Sequence, residues 1–208
     1  MLAPLGVLIA GGRGRRLGNP GPKAHALLGG QTLLERAMAT LTPVCGEVVI
    51  ALSDGVEPPA TLGRGVFVAL DRPGTRGPLA GLVAGLEARP FEVALVLGVD
   101  FPLARSAALR FLATRLGSRL AVVPEPGGRA QPLFAVYAAG ARAPLTQALE
   151  RGEQALVPAV MALDPVRVAD QELATLDGGL ENFLNVNRPD ELAEAQRRLR
   201  SSPAAGGR

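Results

Sequence analysis

The chain is poor in the residues that most often carry metal, redox or stacking chemistry. Its 208 residues include one cysteine, one histidine, one tyrosine and no tryptophan. The single cysteine, Cys45, excludes an internal disulfide and fits a reducing, cytoplasmic compartment. It stands beside a predicted strand with no activating base near it, so it reads as an inert core thiol. The single histidine, His25, has no second His or Cys nearby and cannot build a metal cluster. With aromatics at 3%, the core has to be made of Leu, Val and Ala. Basic residues are scattered, and the formal charge is only +3. No basic run interleaved with aromatics is present, which argues against a nucleic-acid surface. No apolar run reaches the length of a membrane span. The segment from Met1 to Ala10 is apolar but short, lacks a basic start and runs into Gly-Gly, so it reads as a first strand and not a signal peptide.

What is present is a hydrophobic chain, 48% apolar, broken by glycine- and proline-rich turns. Strands are predicted at Leu5 to Ala10, Glu47 to Leu52, Val66 to Leu70, Val93 to Val99, Leu120 to Val123 and Leu133 to Tyr137. Helices are predicted over Leu33 to Leu41, Leu79 to Ala88, 106 to 116, 141 to 150, 154 to 163 and Pro189 to Leu199. The first of these opens on the capping-box pattern Thr32-Leu33-Leu34-Glu35. This rhythm predicts a three-layer α/β/α sandwich around a mostly parallel sheet. No internal repeat or linker divides the chain. One domain is expected over residues 1 to 200, followed by a disordered tail over 201 to 208.

In such folds, ligands bind beyond the carboxyl ends of the strands. Three features fall there, and a fourth segment precedes a helix. The first strand runs into Gly11-Gly12-Arg13-Gly14-Arg15-Arg16, where glycines free backbone N–H groups and arginines supply charge for a phosphate. The loop is not a P-loop, since no Gly-Lys-Ser/Thr follows, and it does not match the dinucleotide fingerprint. An ordinary strand–helix turn with solvated arginines is the competing reading. Asp71 and Asp100 close two strands. A carboxylate at the end of the apolar strand before Asp100 suits Mg²⁺ bridging to a phosphate, and a helix N-cap is its bland alternative. Gly77-Pro78-Leu79-Ala80-Gly81 either aims backbone N–H groups at a ligand or simply starts a helix with proline.

Two further signals come from rarity. Among the 22 Lys and Arg residues, Lys23 is the only lysine. In a chain that otherwise writes positive charge as Arg, it points to a site that needs a compact ammonium. Asn182, Asn185 and Asn187 crowd into six residues, alternating with Phe183, Leu184 and Val186. They can read the edges of a polar heterocycle, or they can be turn formers before the last helix.

Together, Leu8-Ile9-Ala10-Gly11-Gly12 with Arg16 and Gly18, then Lys23, Gly77-Pro78-Leu79-Ala80-Gly81, Asp100-Phe101-Pro102 and Asn185-Val186-Asn187-Arg188-Pro189-Asp190-Glu191-Leu192 resemble the molybdenum cofactor guanylyltransferases, the MobA family. The resemblance runs from about residue 5 to 197. It implies a Rossmann-like fold of the nucleotide-diphospho-sugar transferase type and transfer of GMP from GTP to the terminal phosphate of molybdopterin. By it, Ile9, Ala10, Gly11, Lys23, Asp71 and Asp100 contact GTP, with Gly12, Gly77 and Pro78 completing that side. Asp100 also binds Mg²⁺. Asn185 and Asn187, joined by Asn182, face the pterin. Arg16 and Lys23 neutralise the departing pyrophosphate. The implied partners are GTP and molybdopterin; a protein that hands over the pterin, or a molybdoenzyme chaperone, is left open. A CTP-dependent cytidylyltransferase, a sugar-phosphate nucleotidyltransferase and a non-catalytic GTP- or pterin-binding relative are the alternatives. The family usually has an acidic residue where this chain has Pro22, and often Asn where it has Ala51-Leu52-Ser53.

Overall fold

The computed structural model describes residues 3–11, 21–53, 57–59 and 61–201. Its strands are β1 (Leu5–Ile9), β2 (Leu27–Leu28), β3 (Gln31–Thr32), β4 (Glu47–Leu52), β5 (Val66–Leu70), β6 (Val93–Gly98), β7 (Ala121–Glu125), β8 (Phe134–Ala138) and β9 (Val166–Ala169). The helices are α1 (Leu33–Leu41), α2 (Pro78–Glu87), α3 (Ser106–Thr114), α4 (Arg142–Glu150), α5 (Leu156–Met161), α6 (Asp170–Leu173) and α7 (Pro189–Ser201). Every strand and helix predicted from the sequence is present, with ends displaced by a few residues. The short pair β2–β3, the edge strand β9 and helix α6 went unpredicted. β9 has four residues and only Val168 buried, too short a pattern to register as alternation. Ser201 belongs to α7 and not to a tail, and residues 202–208 lie outside the described residues.

Seven strands form one sheet in the order β5-β4-β1-β6-β8-β7-β9. β1 pairs in parallel with β4 and with β6, and β4 with β5. β8 runs antiparallel to both β6 and β7, while β7 and β9 are parallel. The sheet is therefore mostly parallel, as expected, with β8 as the reversed strand among those described.

Both faces are covered, which is why its central strands are apolar throughout. Leu8, Ile50, Leu95, Leu97 and Phe134 face one way, against Leu33, Ala37 and Leu41 of α1, Leu109 and Leu112 of α3 and Ala195 of α7. Val7, Ile9, Val49, Val96 and Tyr137 face the other, against Leu79, Leu82 and Leu86 of α2, Leu145 of α4 and Val160 of α5. Successive strand residues point to opposite faces, so a run such as Val7-Leu8-Ile9 feeds both cores. The buried Tyr137 hydroxyl donates to the Pro132 carbonyl at 2.7 Å, as a phenol in an apolar core must. Thr32 caps α1: its side chain accepts from the Glu35 N–H, and the Glu35 carboxylate accepts from the Thr32 N–H. Burial pushes the Cys45 thiol up to about 12, in keeping with an inert sulfur.

Strand direction then fixes the functional edge. β1, β4, β5 and β6 are parallel neighbours, so their carboxyl ends lie along one side of the sheet. From β1 the chain moves outward to β4 and β5, then returns across α2 to β6 on the other side of β1. This reversal of strand order opens a crevice of the kind that holds ligands in doubly wound sheets.

Candidate active site

A cleft of about 200 Å³ lies at that edge, lined by Ile9, Gly11, Ala51, Ser53, Asp71, Gly77, Pro78, Gly81 and Leu133. Five of the residues expected on the GTP side are on this wall: Ile9, Gly11, Asp71, Gly77 and Pro78. Ala10 flanks it without lining it. The Ala10 methyl packs into the opposite core, and its N–H is bound to the Ala51 carbonyl at 2.9 Å. Gly12 and Arg16 lie outside the described residues.

The cleft is made by leaving side chains out. A Cβ at Gly11 would overlap the Ser53 hydroxyl, so the two residues share one space at the mouth of the cleft. Ser53 was legible only as a departure from a family pattern; its hydroxyl on the cleft wall is a structural finding. Gly77, at φ 92°, is the N-cap of α2, and Pro78 occupies the first turn. The segment is a proline-initiated helix start, and it lines the cleft. Asp71 follows β5, donates its N–H to the Leu52 carbonyl at 3.1 Å and is 8% exposed.

Beside the cleft stands a cluster of side chains from three distant parts of the chain. The Lys23 Nζ donates to Asn187 Oδ1 at 2.7 Å and lies 3.7 Å from Asp100 Oδ2. Asn185 Nδ2 donates to the same Asp100 oxygen at 2.8 Å. Asn187 Nδ2 donates in turn to Asn185 Oδ1. The backbone joins in, with the Val186 N–H bound to the Asp100 carbonyl at 2.8 Å. Glu191 in the first turn of α7 accepts from the N–H groups of Asn187 at 2.5 Å and Arg188 at 2.9 Å.

Each member is held by local geometry. Lys23 opens a short 3-10 turn, Lys23–His25, anchored by buried Ala24. Asp100 follows β6, and its carboxylate folds back over Gly98, where a Cβ would overlap Oδ1. Asp100 is not the cap of α3, because that helix begins only at Ser106 with Arg105 at the N-cap position. Asn185 and Asn187 flank buried Val186 and so share a side of the strand-like segment. The lysine and aspartate side chains are 12% and 19% exposed, sheltered but reachable. Burial pulls the Lys23 ammonium below its usual value, and the carboxylates of Asp100 and Glu191 oppose that shift.

Asn182 is a correction. It was expected beside Asn185 and Asn187 on the pterin side, but it is 0% exposed. It sits in the 3-10 turn Gly179–Phe183, not in the extended segment, so the alternation that unites Asn185 and Asn187 does not reach it. Its amide is bound to backbone: Oδ1 accepts from the Arg105 N–H at 2.9 Å, and Nδ2 donates to the carbonyls of Asp177 at 2.9 Å and Gly179 at 2.8 Å. His25 is exposed and makes no part of the cluster.

The donor set suits a hard cation shared with phosphate. Among the described residues no group of three His, Cys, Asp or Glu side chains is placed to hold a metal. The protein's offer is the Asp100 carboxylate, whose Oδ2 faces the Asn185 amide and the Lys23 ammonium. Mg²⁺ is bound in this way when substrate phosphates and water complete its shell.

A sheltered cleft at the switch point of a mostly parallel sheet, with a lysine–aspartate pair at its side, is an arrangement that an α/β nucleotidyltransferase can use. Comparison with known proteins narrows the class. Residues 6–166 match the MobA-like NTP transferase domain, and the chain belongs to that family. It is 39% identical over 198 residues to the probable molybdenum cofactor guanylyltransferase of Chloroflexus aggregans, covering 92% of each chain. With the molybdenum cofactor guanylyltransferase of Desulfosudis oleivorans it shares 29% over 202 residues, covering 97% of this chain and 98% of that one. Among solved structures, molybdopterin-guanine dinucleotide biosynthesis protein A from Archaeoglobus fulgidus superposes with a TM-score of 0.77 at 24% identity, covering 94% and 98%. The 2-C-methyl-D-erythritol 4-phosphate cytidylyltransferase of Thermus thermophilus does so at 0.69 and 25%, covering 96% and 100%. No described helix is long and apolar enough to cross a membrane.

Proposed function

We propose that this chain transfers GMP from GTP to the terminal phosphate of molybdopterin, releasing pyrophosphate and forming the guanine dinucleotide cofactor, with Mg²⁺ required. The acceptor is that of the guanylyltransferases with which the chain shares most of its length. The observation that carries the reading is the convergence of Lys23, Asp100, Asn185 and Asn187, up to 164 positions apart, into one hydrogen-bonded cluster beside the cleft.

The chemistry needs positioning and charge neutralisation more than a protein nucleophile. An oxygen of the acceptor phosphate forms a bond to the α-phosphorus of GTP. The bond from that phosphorus to the bridging oxygen breaks, and the electron pair leaves on pyrophosphate. The cleft between Gly11 and Gly77 receives the nucleotide, with the N-terminus of α2 directed at its negative charge. Lys23 is set to neutralise the leaving pyrophosphate. Asn185 and Asn187 present amide groups to the acceptor, so donor and acceptor phosphates meet over Asp100. Mg²⁺, held by Asp100, would supply further charge neutralisation on the phosphates.

The test is pyrophosphate release by purified protein with Mg²⁺, molybdopterin and each labelled nucleoside triphosphate in turn. Release with GTP alone is expected and should vanish with EDTA. Release with CTP in its place would overturn the guanine assignment, and GTP binding without release would favour a non-catalytic sensor.

A further inference from the structure

Asn182 is the most completely buried polar side chain near the cluster, and nothing in the proposed transfer uses it. Taking as its basis the reading that Asp100 and Asn185 serve that transfer, we infer that Asn182 is a positioning residue: its amide fastens the strap carrying Asn185 and Asn187 to the loop that follows Asp100.

The loop from Phe101 to Ser106 is gripped from two sides. On the α1 side, Arg36 Nε donates to the Pro102 carbonyl at 3.1 Å, Thr40 Oγ1 to the Ala104 carbonyl at 3.0 Å, and Ser106 Oγ to the Thr40 carbonyl at 2.7 Å. On the strap side, the Asn182 amide alone joins the backbone of Arg105 to that of Asp177 and Gly179. The Arg105–Asp177 ion pair also crosses this gap, but its side chains are 40% and 67% exposed, and pairs so solvated hold little. From Asn182 the chain passes through Phe183, whose ring packs against Phe134 with centroids 4.6 Å apart, to Asn185. There it meets Asp100 twice, through the Val186 N–H at 2.8 Å and the Asn185 amide at 2.8 Å.

The amide suits this task better than the residues around it. It supplies one acceptor and two donors within a single planar group, and three backbone partners take all three roles. Asp in its place keeps the shape and the acceptor but turns an oxygen toward two carbonyl oxygens. Substitution should therefore release the strap while leaving the nucleotide cleft, built from β1, β4, β5 and α2, untouched.

The experiment compares full-length Asn182→Asp and the softer Asn182→Ser with wild type in three measurements. Amide hydrogen exchange at Val186 should quicken by roughly tenfold or more, while Val99, bound to the Ile9 carbonyl just past the end of β6, keeps its rate. kcat/KM for the pterin acceptor should fall by about tenfold, mostly in KM, since orientation of the acceptor is what is lost. The GTP dissociation constant should stay within about twofold. In an Asn185→Ala background, Asn182→Asp should add less than about twofold, because Asn182 acts on the acceptor chiefly by placing Asn185. Unchanged Val186 exchange, parallel losses in GTP binding and turnover, or fully additive effects would each overturn the inference. A wild-type protein without turnover would instead defeat the functional reading, and the Val186 exchange would still decide the positioning role.

Discussion

The two halves of the site are built by opposite means. The nucleotide cleft is shaped by subtraction, with glycines at 11, 77 and 81 and small residues at Ala51 and Ser53 along the ends of β1, β4 and α2. The neighbouring cluster is built by addition: a lysine, an aspartate and two asparagines delivered from segments far apart in sequence. A cleft made of backbone suits a ligand whose phosphates want N–H groups and close approach. A cluster of charged and amide side chains suits the place where bonds change partners, because charge develops there. Changes in the first half should therefore act on nucleotide affinity, and changes in the second on turnover.

The sharpest break in that comparison is expected at Asp100. Asn at this position keeps the size and an oxygen for the Asn185 amide, so the fold should persist. It removes the carboxylate proposed to hold Mg²⁺ and the partner of Lys23. We expect kcat to fall by on the order of 10²–10³-fold or more, with the melting temperature little changed, in a pyrophosphate-release assay. Retained activity would remove Asp100 from the chemistry.

The cluster was largely legible in the sequence, and the cleft wall less so. Lys23 stood out because it is the only lysine, Asp100 because it ends the most apolar strand, and Asn185 and Asn187 because three of four asparagines crowd together. Rarity and strand-end placement are signals that survive without coordinates. Asn182 was misread because an amide that faces solvent and one that ties three backbone groups look alike in a sequence. Ser53 was a departure from a pattern until its hydroxyl was found in the space a side chain on Gly11 would need. The reversed direction of β8 was invisible for a similar reason: an apolar run says that a strand is buried, not which way it points.

Gly11→Ala tests the subtractive half. The added methyl competes with the Ser53 hydroxyl at the mouth of the cleft. Overpacking of this kind costs about 1–3 kcal/mol, so the GTP dissociation constant should rise by roughly 10–100-fold, as read by calorimetry. Turnover at saturating GTP should change much less. Removing the obstacle in the double variant Gly11→Ala, Ser53→Ala should recover most of the affinity. If the double variant binds no better than the single, the shared-space account of the cleft is wrong.

Lys23→Arg is a finer probe of the additive half. The ammonium is 12% exposed and fits between Asn187 and Asp100, while a guanidinium is larger and planar and places its donors differently. A loss of roughly tenfold in kcat/KM is expected, the low end of what one charge-assisted hydrogen bond contributes. GTP affinity should move less than kcat. Wild-type rates would show that positive charge alone is required there, and that the lone lysine marks no special geometry.

The smallest effect is expected outside both halves, at Thr32. Its hydroxyl accepts from the Glu35 N–H at 3.1 Å and caps α1, the helix whose Arg36 and Thr40 grip the loop after Asp100. Loss of such a cap costs about 1 kcal/mol. Thr32→Ala should therefore lower the urea midpoint modestly. It should leave kcat/KM within about twofold, because Leu33, Ala37 and Leu41 still bury the helix against the sheet, and tertiary packing outweighs a cap in holding a helix. A large loss of activity at unchanged stability would mean that the grip on the loop depends on the first turn of α1 and not on its buried face. The additive half of the site would then extend well beyond the residues that touch one another.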